Sequence, residues 1–170
     1  IHESMNFATL HKLPVIFVCE NNNFSVYTRL NERQPERPIY RVAEAHGLDA
    51  YSGKGSDVEE VLAISRKAVS LARQGRGPQF MELHVYRWRE HCGPNFDDEL
   101  NYRTAQEIKA GMNNCPVAGY TGKLEKENGN IHLEIERYET EIRQEIAAAF
   151  EFALSSKKPS LDDSHGKVYA

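Results

Sequence analysis

The feature that most constrains this chain is the run Pro14-Val-Ile-Phe-Val-Cys-Glu-Asn-Asn-Asn-Phe24. Val15 to Val18 are consecutive apolar residues, β-branched or aromatic, that follow a proline. Such a run predicts a strand buried on both faces, as in a parallel sheet covered by helices. It stops at Glu20, and three asparagines follow at once. In open α/β sheets, ligands sit at the carboxyl ends of strands, where loops leave the core. An asparagine there offers a neutral oxygen to a hard cation, and its backbone tolerates tight turns. The same three residues also suit a plain turn, and composition leaves both readings open.

The remainder suits one globular domain with a real core: 170 residues, of which 40% are apolar. A net charge of −4 with no recurring basic stripe argues against a nucleic-acid binder. No apolar run approaches the length of a bilayer span, so no membrane partner is expected. Cys19, Cys92 and Cys115 lie too far apart for a disulfide framework or a zinc site, which favours a reducing compartment. Ile1, Met5 and Ala8 keep helical spacing with no cap before them. The chain therefore reads as beginning inside a helix, a piece of something longer.

Residues 1 to 11 continue that helix, and Arg33 to Pro38 form an exposed connection. Pro38 opens a short helix with Ile39, Val42 and Ala43 inward and Gly47 at its end. Leu48 to Tyr51 is a short strand, and Gly53-Lys-Gly55 a turn. Ser56-Asp-Val-Glu59 reads as a capping box with Ser56 as the cap. Its helix carries Val58, Val61, Leu62, Ser65, Ala68, Val69 and Ala72 on one face as far as Gly75. Pro78 to Tyr86 is a second strand, which gives the order of a right-handed parallel crossover. Arg87 to Thr104 is polar, holds Gly93-Pro94 and Asp97-Asp98-Glu99, and is long enough to read as a functional loop or a disordered one. A short helix from Thr104 is broken at Asn113 to Gly119. From Ile131 to about Leu154, Ile135, Tyr138, Ile142 and Ala149 mark a long amphipathic helix packed on the domain, and Pro159 begins a tail.

The run Asn6-Phe-Ala-x-Leu-x-Lys-Leu-Pro14, continued by Val-Ile-Phe-Val-Cys-Glu-Asn-Asn22, resembles the alpha subunit of the thiamine-diphosphate-dependent 2-oxo acid dehydrogenases. Pyruvate, branched-chain and acetoin dehydrogenases make up that group. The resemblance returns at Gly77-Pro-x-Phe-Met-Glu-Leu-x-x-Tyr-Arg87, at His91, at Asn101-Tyr-Arg-Thr104 and at the Val168-Tyr169-Ala170 ending. It implies an α/β fold: a three-layer, doubly wound parallel sheet with helices on both faces. Residues 1–170 would be the C-terminal part of one thiamine-diphosphate-binding domain, with a cover loop over 87–104 and a helical segment over 104–157.

The family pairs an upstream Gly-Asp-Gly with a downstream Asn-Asn to hold a magnesium ion against the cofactor's diphosphate. The resemblance makes Asn22 and the backbone carbonyl of Phe24 metal and cofactor ligands here; Gly-Asp-Gly does not occur in these residues. Magnesium takes oxygen ligands in octahedral geometry and commonly shares them with phosphate. Arg87 and His91 match the loop over the reactive end of the cofactor, which makes both cofactor-binding residues, with His91 contacting the diphosphate and substrate side and helping reductive acyl transfer. A histidine can both bond an anion and move a proton near neutrality, and an arginine fork suits diphosphate or carboxylate. In mitochondrial relatives a phosphorylatable serine follows this histidine; Cys92 stands here.

The resemblance implies a beta subunit in an α2β2 assembly, a lipoyl-bearing acyltransferase and a small 2-oxo acid as partners. The location would be cytoplasmic, or the matrix in a eukaryote. A rival from another class is a catalytically inactive fragment whose job is subunit assembly. A nicotinamide-binding fold is disfavoured, because no Gly-x-Gly-x-x-Gly follows a strand.

Overall fold

The structure, a computed structural model, describes residues 1–127, 129–161 and 163. The Val168-Tyr169-Ala170 ending lies outside the described residues. The chain divides into two compact units, Ile1–Gly122 and Lys123–Ala170.

In the first unit the elements run α1 (His2–Leu10), β1 (Ile16–Asn21), β2 (Phe24–Ser25), β3 (Thr28–Arg29), α2 (Leu30–Arg33), α3 (Tyr40–Ala45), β4 (Asp49–Lys54), α4 (Val58–Arg73), β5 (Gln79–His84) and α5 (Ala105–Asn113). A further helix, α6 (Pro116–Glu127), runs across the boundary, and α7 (Ile131–Ser155) follows. The main sheet has the order β1-β5-β4 and is parallel throughout, with Asn21 and Lys54 both opposite His84 at its carboxyl edge.

Alternation along β5 builds a core on each side of the sheet. Phe80 packs with Met5 of α1, Ala43 of α3 and Leu48. Met81 and Leu83 pack with Ala68 of α4, flanked by Ile16, Val61 and Ile64. The result is the expected α/β architecture, a parallel sheet with helices on both sides.

Several local expectations need correction. β1 lies at the edge of this sheet, and Val18 is 54% exposed, so the run is not buried on both faces. β4 continues through Gly53 and Lys54, where a turn was expected. Gly53 packs so closely on Ile64 and Glu60 that a Cβ would collide, which is why a glycine lies inside a strand. The α4 cap is Asp57, whose carboxylate accepts from the N–H groups of Glu59 and Glu60 at 3.1 Å each; the expected Ser56 hydroxyl is buried without a partner among the described residues. The buried face of α4 centres on Ala68 and Ala72, leaving Leu62 exposed. Pro116 opens α6, confining the expected break to Asn114 and Cys115, since proline is tolerated in a first helical turn.

The long helix α7 forms as expected, and none of its residues is buried. Tyr138, Ile142, Ile146 and Phe150 are exposed along it. No helix of the described residues is long and apolar enough to cross a membrane.

Candidate functional site

Two loops leave the sheet from neighbouring parallel strands, β1 and β5, and meet. The first begins at Asn21, which is buried, and Asn21 and Asn22 each turn the side chain onto the backbone ahead. Asn21 Oδ1 accepts from the Asn23 N–H at 3.0 Å, and Asn22 Oδ1 from the Phe24 N–H at 2.9 Å. These are overlapping Asx turns, and they carry Asn23 into the left-handed region at φ +65°. The chain then folds into the β2–β3 hairpin. Its two-residue tip places Val26, a β-branched residue, at φ +56°.

The Leu30 N–H donates to Asn23 O at 2.8 Å. Phe24, one residue along, pairs with Arg29, and antiparallel pairs alternate between bonded and non-bonded. The N–H and C=O of Phe24 therefore face away from β3, on the side where the Asn22 amide meets that N–H. Half-buried Asn22 keeps a second lone pair on Oδ1 after this bond. The expected turn and the expected ligand geometry are thus compatible: two neutral oxygens, Asn22 Oδ1 and Phe24 O, share one side of the loop. Both are hard donors of the kind magnesium takes. They do not fill an octahedron, and the described residues hold no group of three or more His, Cys, Asp or Glu placed to bind a metal. A cleft of about 690 Å³ opens beside the hairpin, lined among others by Asn23, Phe24, Arg29 and Glu107. Asn22 itself is not among its lining residues.

The second loop begins at Arg87. Its Nη2 donates to Val26 O at 3.0 Å, Asp97 Oδ2 at 3.1 Å and the Tyr102 hydroxyl at 3.0 Å. Arg103 Nη2 reaches the other oxygen of Asp97 at 2.7 Å, and its Nη1 donates to Arg87 O. Asp97 is 3% exposed and Arg103 6%, so the Asp97 carboxylate lies buried between two guanidiniums, and Arg103 Nη2 also donates to Asp98 Oδ1 at 2.9 Å. Burial pushes the Tyr102 phenol up, and the bond it donates to Asp97 adds to the effect. Arg87 Nε is buried with no partner among the described residues, leaving one donor for an incoming oxygen.

The hairpin is tied to this loop and to α5 at two further points. Phe24 meets Tyr102 edge to face at 5.2 Å. Arg29 grips Glu107 through both guanidinium nitrogens, at 2.6 and 2.8 Å. Glu107 also completes a capping box with Thr104, and chiefly through Arg29 its carboxyl is lowered to about 2. Glu20 is exposed, and Arg29 pairs with Glu107.

Beyond its root the second loop changes character. Glu90 closes a small loop by accepting from Asn95, and Arg89 lies over the Phe96 ring. His91 and Cys92 at the tip are exposed. Among the described residues no hydrogen bond, ion pair or ring contact ties His91 to Asn22, Phe24 or Arg87, which lie in the joined part of the two loops.

The family model of the dehydrogenase E1 component matches residues 1–162. The chain belongs to that family. Similar proteins include a pyruvate dehydrogenase E1 component subunit alpha from Rhizobium meliloti, 29% identical over 99% of this chain and 48% of the relative. The corresponding subunit of Porphyra purpurea is 33% identical over the same shares. The 2-oxoisovalerate dehydrogenase subunit alpha of Bacillus subtilis is 35% identical over 80% of this chain and 40% of its own length. The chain thus spans about half the length of the curated relatives it matches, which are E1 alpha subunits of 2-oxo acid dehydrogenases.

Within this E1 segment, sequence reasoning found the two loops but missed what holds them. In sequence Asp97 belongs to an acidic cluster in a polar loop and Arg103 to the Asn101-Tyr-Arg-Thr104 match, and only the fold makes them a buried pair. Glu82 was missed too, although a carboxylate between Met81 and Leu83 in an apolar strand was a usable signal.

Proposed function

We propose that this chain is part of the alpha subunit of a thiamine-diphosphate-dependent dehydrogenase. The whole enzyme would decarboxylate a 2-oxo acid, or cleave acetoin, and pass the acyl group to lipoamide. It would work as an α2β2 assembly with a beta subunit and hand its product to a lipoyl-bearing acyltransferase.

The observation that carries this reading is the junction of the two loops. Segments matching opposite ends of the cofactor leave adjacent strands at one sheet edge and are bonded together through Arg87 and Val26. Asn22 Oδ1 and Phe24 O would hold magnesium, completed by ligands from outside these residues and by the diphosphate. When bound, thiamine diphosphate supplies a nucleophilic carbon and an electron sink for decarboxylation. Arg87 keeps the cover loop in place and offers Nε to an anionic oxygen, much of its charge already spent on Asp97. His91, at the exposed tip, donates an N–H to the substrate side and moves a proton during acyl transfer.

The test is magnesium-dependent thiamine diphosphate binding, followed by calorimetry in the full-length alpha chain with its beta subunit. Asn22→Ala should raise the magnesium needed by ~10-fold or more. An unchanged requirement would remove Asn22 from the metal site. No binding even in the unsubstituted assembly would leave the assembly role, which the exposed apolar residues of α7 also suit.

A further inference from the structure

Glu82 lies mid-strand in β5 and is 1% exposed. A carboxyl group in such a place is costly unless both oxygens are satisfied. Oε1 accepts from Asn21 Nδ2 at 2.7 Å, and Oε2 from the backbone N–H of Tyr40, the first residue of α3, at 2.8 Å. Asn21 is tied at its other end as well, since Oδ1 accepts from the Asn23 N–H. With an acceptor on one side and a donor on the other, that amide has a single satisfactory orientation. The next residue is Asn22. A well-packed apolar residue often serves stability as well as a buried ionisable group does. What the carboxyl group adds is therefore geometry.

We propose that Glu82 is a positioning residue for the metal end of the site. By gripping Asn21 it sets the turn that presents the Asn22 amide oxygen, and by gripping Tyr40 it ties that turn to α3. The proposal rests on the reading of Asn22 as a magnesium ligand. Partners that orient a metal ligand typically contribute ~10–100-fold to metal affinity.

The bonding pattern prescribes its own test. Both groups held by Glu82 are donors, so Glu82→Gln satisfies one and turns an NH2 on the other. Asn21→Asp sets two carboxyl groups against each other. Combining them restores every bond: the new amide nitrogen donates to the new carboxylate, the new amide oxygen accepts from Tyr40, and the carboxylate still accepts from Asn23. In the full-length alpha chain with its beta subunit, two quantities are measured. They are the magnesium needed for half-maximal thiamine diphosphate binding, and amide exchange at Asn23 and Tyr40 without metal or cofactor.

Each single variant should raise the magnesium requirement by ~10-fold or more. Excess magnesium makes up the loss, as it would not for a misfolded chain, and exchange at both amides quickens. The double variant should return both measures to within about threefold of the unsubstituted protein, as coupled sites do when their interaction is rebuilt. Single variants with an unchanged requirement, or a double variant no better than the singles, would overturn the role of Glu82 while leaving the proposed function standing. An unsubstituted assembly that fails to bind thiamine diphosphate with magnesium would overturn both.

Discussion

The two loops at the carboxyl edge of the sheet are neighbours held by opposite means. From Asn21 to Arg29 the chain is fixed nearly residue by residue, through neutral amides turned onto the backbone and a tight hairpin. From Arg87 to Thr104 it is joined to the hairpin by charge at its root, with Asp97 shared between Arg87 and Arg103. The tip, with His91, Cys92 and Phe96, stays exposed. The proposed function accounts for the difference: on that reading Asn22 is a metal ligand, which needs a set position, and the loop from Arg87 is a cover, which must part to admit substrate.

The largest way to break this contrast is Asp97→Ala, which removes the carboxylate shared by Arg87 and Arg103 and leaves Arg103 with Asp98 alone. Removing one partner of a buried ion pair costs about 3–5 kcal/mol. A lower denaturant midpoint is expected, with proteolytic cuts between residues 87 and 104 and unchanged amide exchange at Asn23. Equal loosening at Asn23 would make the two loops one unit and end the comparison.

Next comes Gly111→Ala, because a Cβ on that α5 residue would run into the Tyr86 ring at the root of the second loop. Overpacking of this kind costs about 1–3 kcal/mol, read as a lower Tm. An unchanged Tm would show that the ring yields freely and that the root is less rigid than its charges suggest.

Acid sharpens the picture at Glu107. Its carboxyl falls from 4.5 to about 2 in the folded chain, mainly because Arg29 bonds to it. A depressed folded value means that the contribution is complete above the unfolded value and is lost as pH falls toward about 2. Acid titration should loosen the link between the hairpin and α5 across that window, visible in near-ultraviolet dichroism of Tyr27 and Tyr102. Partial exposure and salt screening keep the effect modest. Glu107→Gln should flatten that part of the curve, and a curve left unaltered would place the titration elsewhere.

The smallest effect on stability is expected for His91→Ala, within about 0.5 kcal/mol, as at other exposed positions. Cofactor binding should persist while transfer to lipoamide slows by ~10²-fold or more, a typical share for a proton-transfer group. Loss of folding would give His91 a structural role and remove the open tip from the comparison.

Periodicity was enough to place β1, α4, β5 and α7, because apolar spacing alone specifies them. Asn22 and the loop from Arg87 stand out as a candidate site through composition at a strand end and through resemblance. Other features depended on contacts between distant residues. Ser56 and Asp57 are both good caps, and only backbone geometry at the end of β4 chooses Asp57. Gly53 reads as a turn until Ile64 lies against it. The burial of Val18 depends on which strand stands beside it, which its own neighbours in sequence do not say. Asp97, Arg103 and Glu82 are polar residues whose burial follows from partners between 5 and 61 positions away.

Val26 has a consequence of its own. A β-branched side chain in the left-handed region stores on the order of 1–3 kcal/mol, held in place by what surrounds it. The carbonyl of that residue is the one Arg87 grips. Releasing the arginine therefore lets the hairpin's end unwind like a slackened spring, while its base at Asn21 to Asn23 stays clamped to β5.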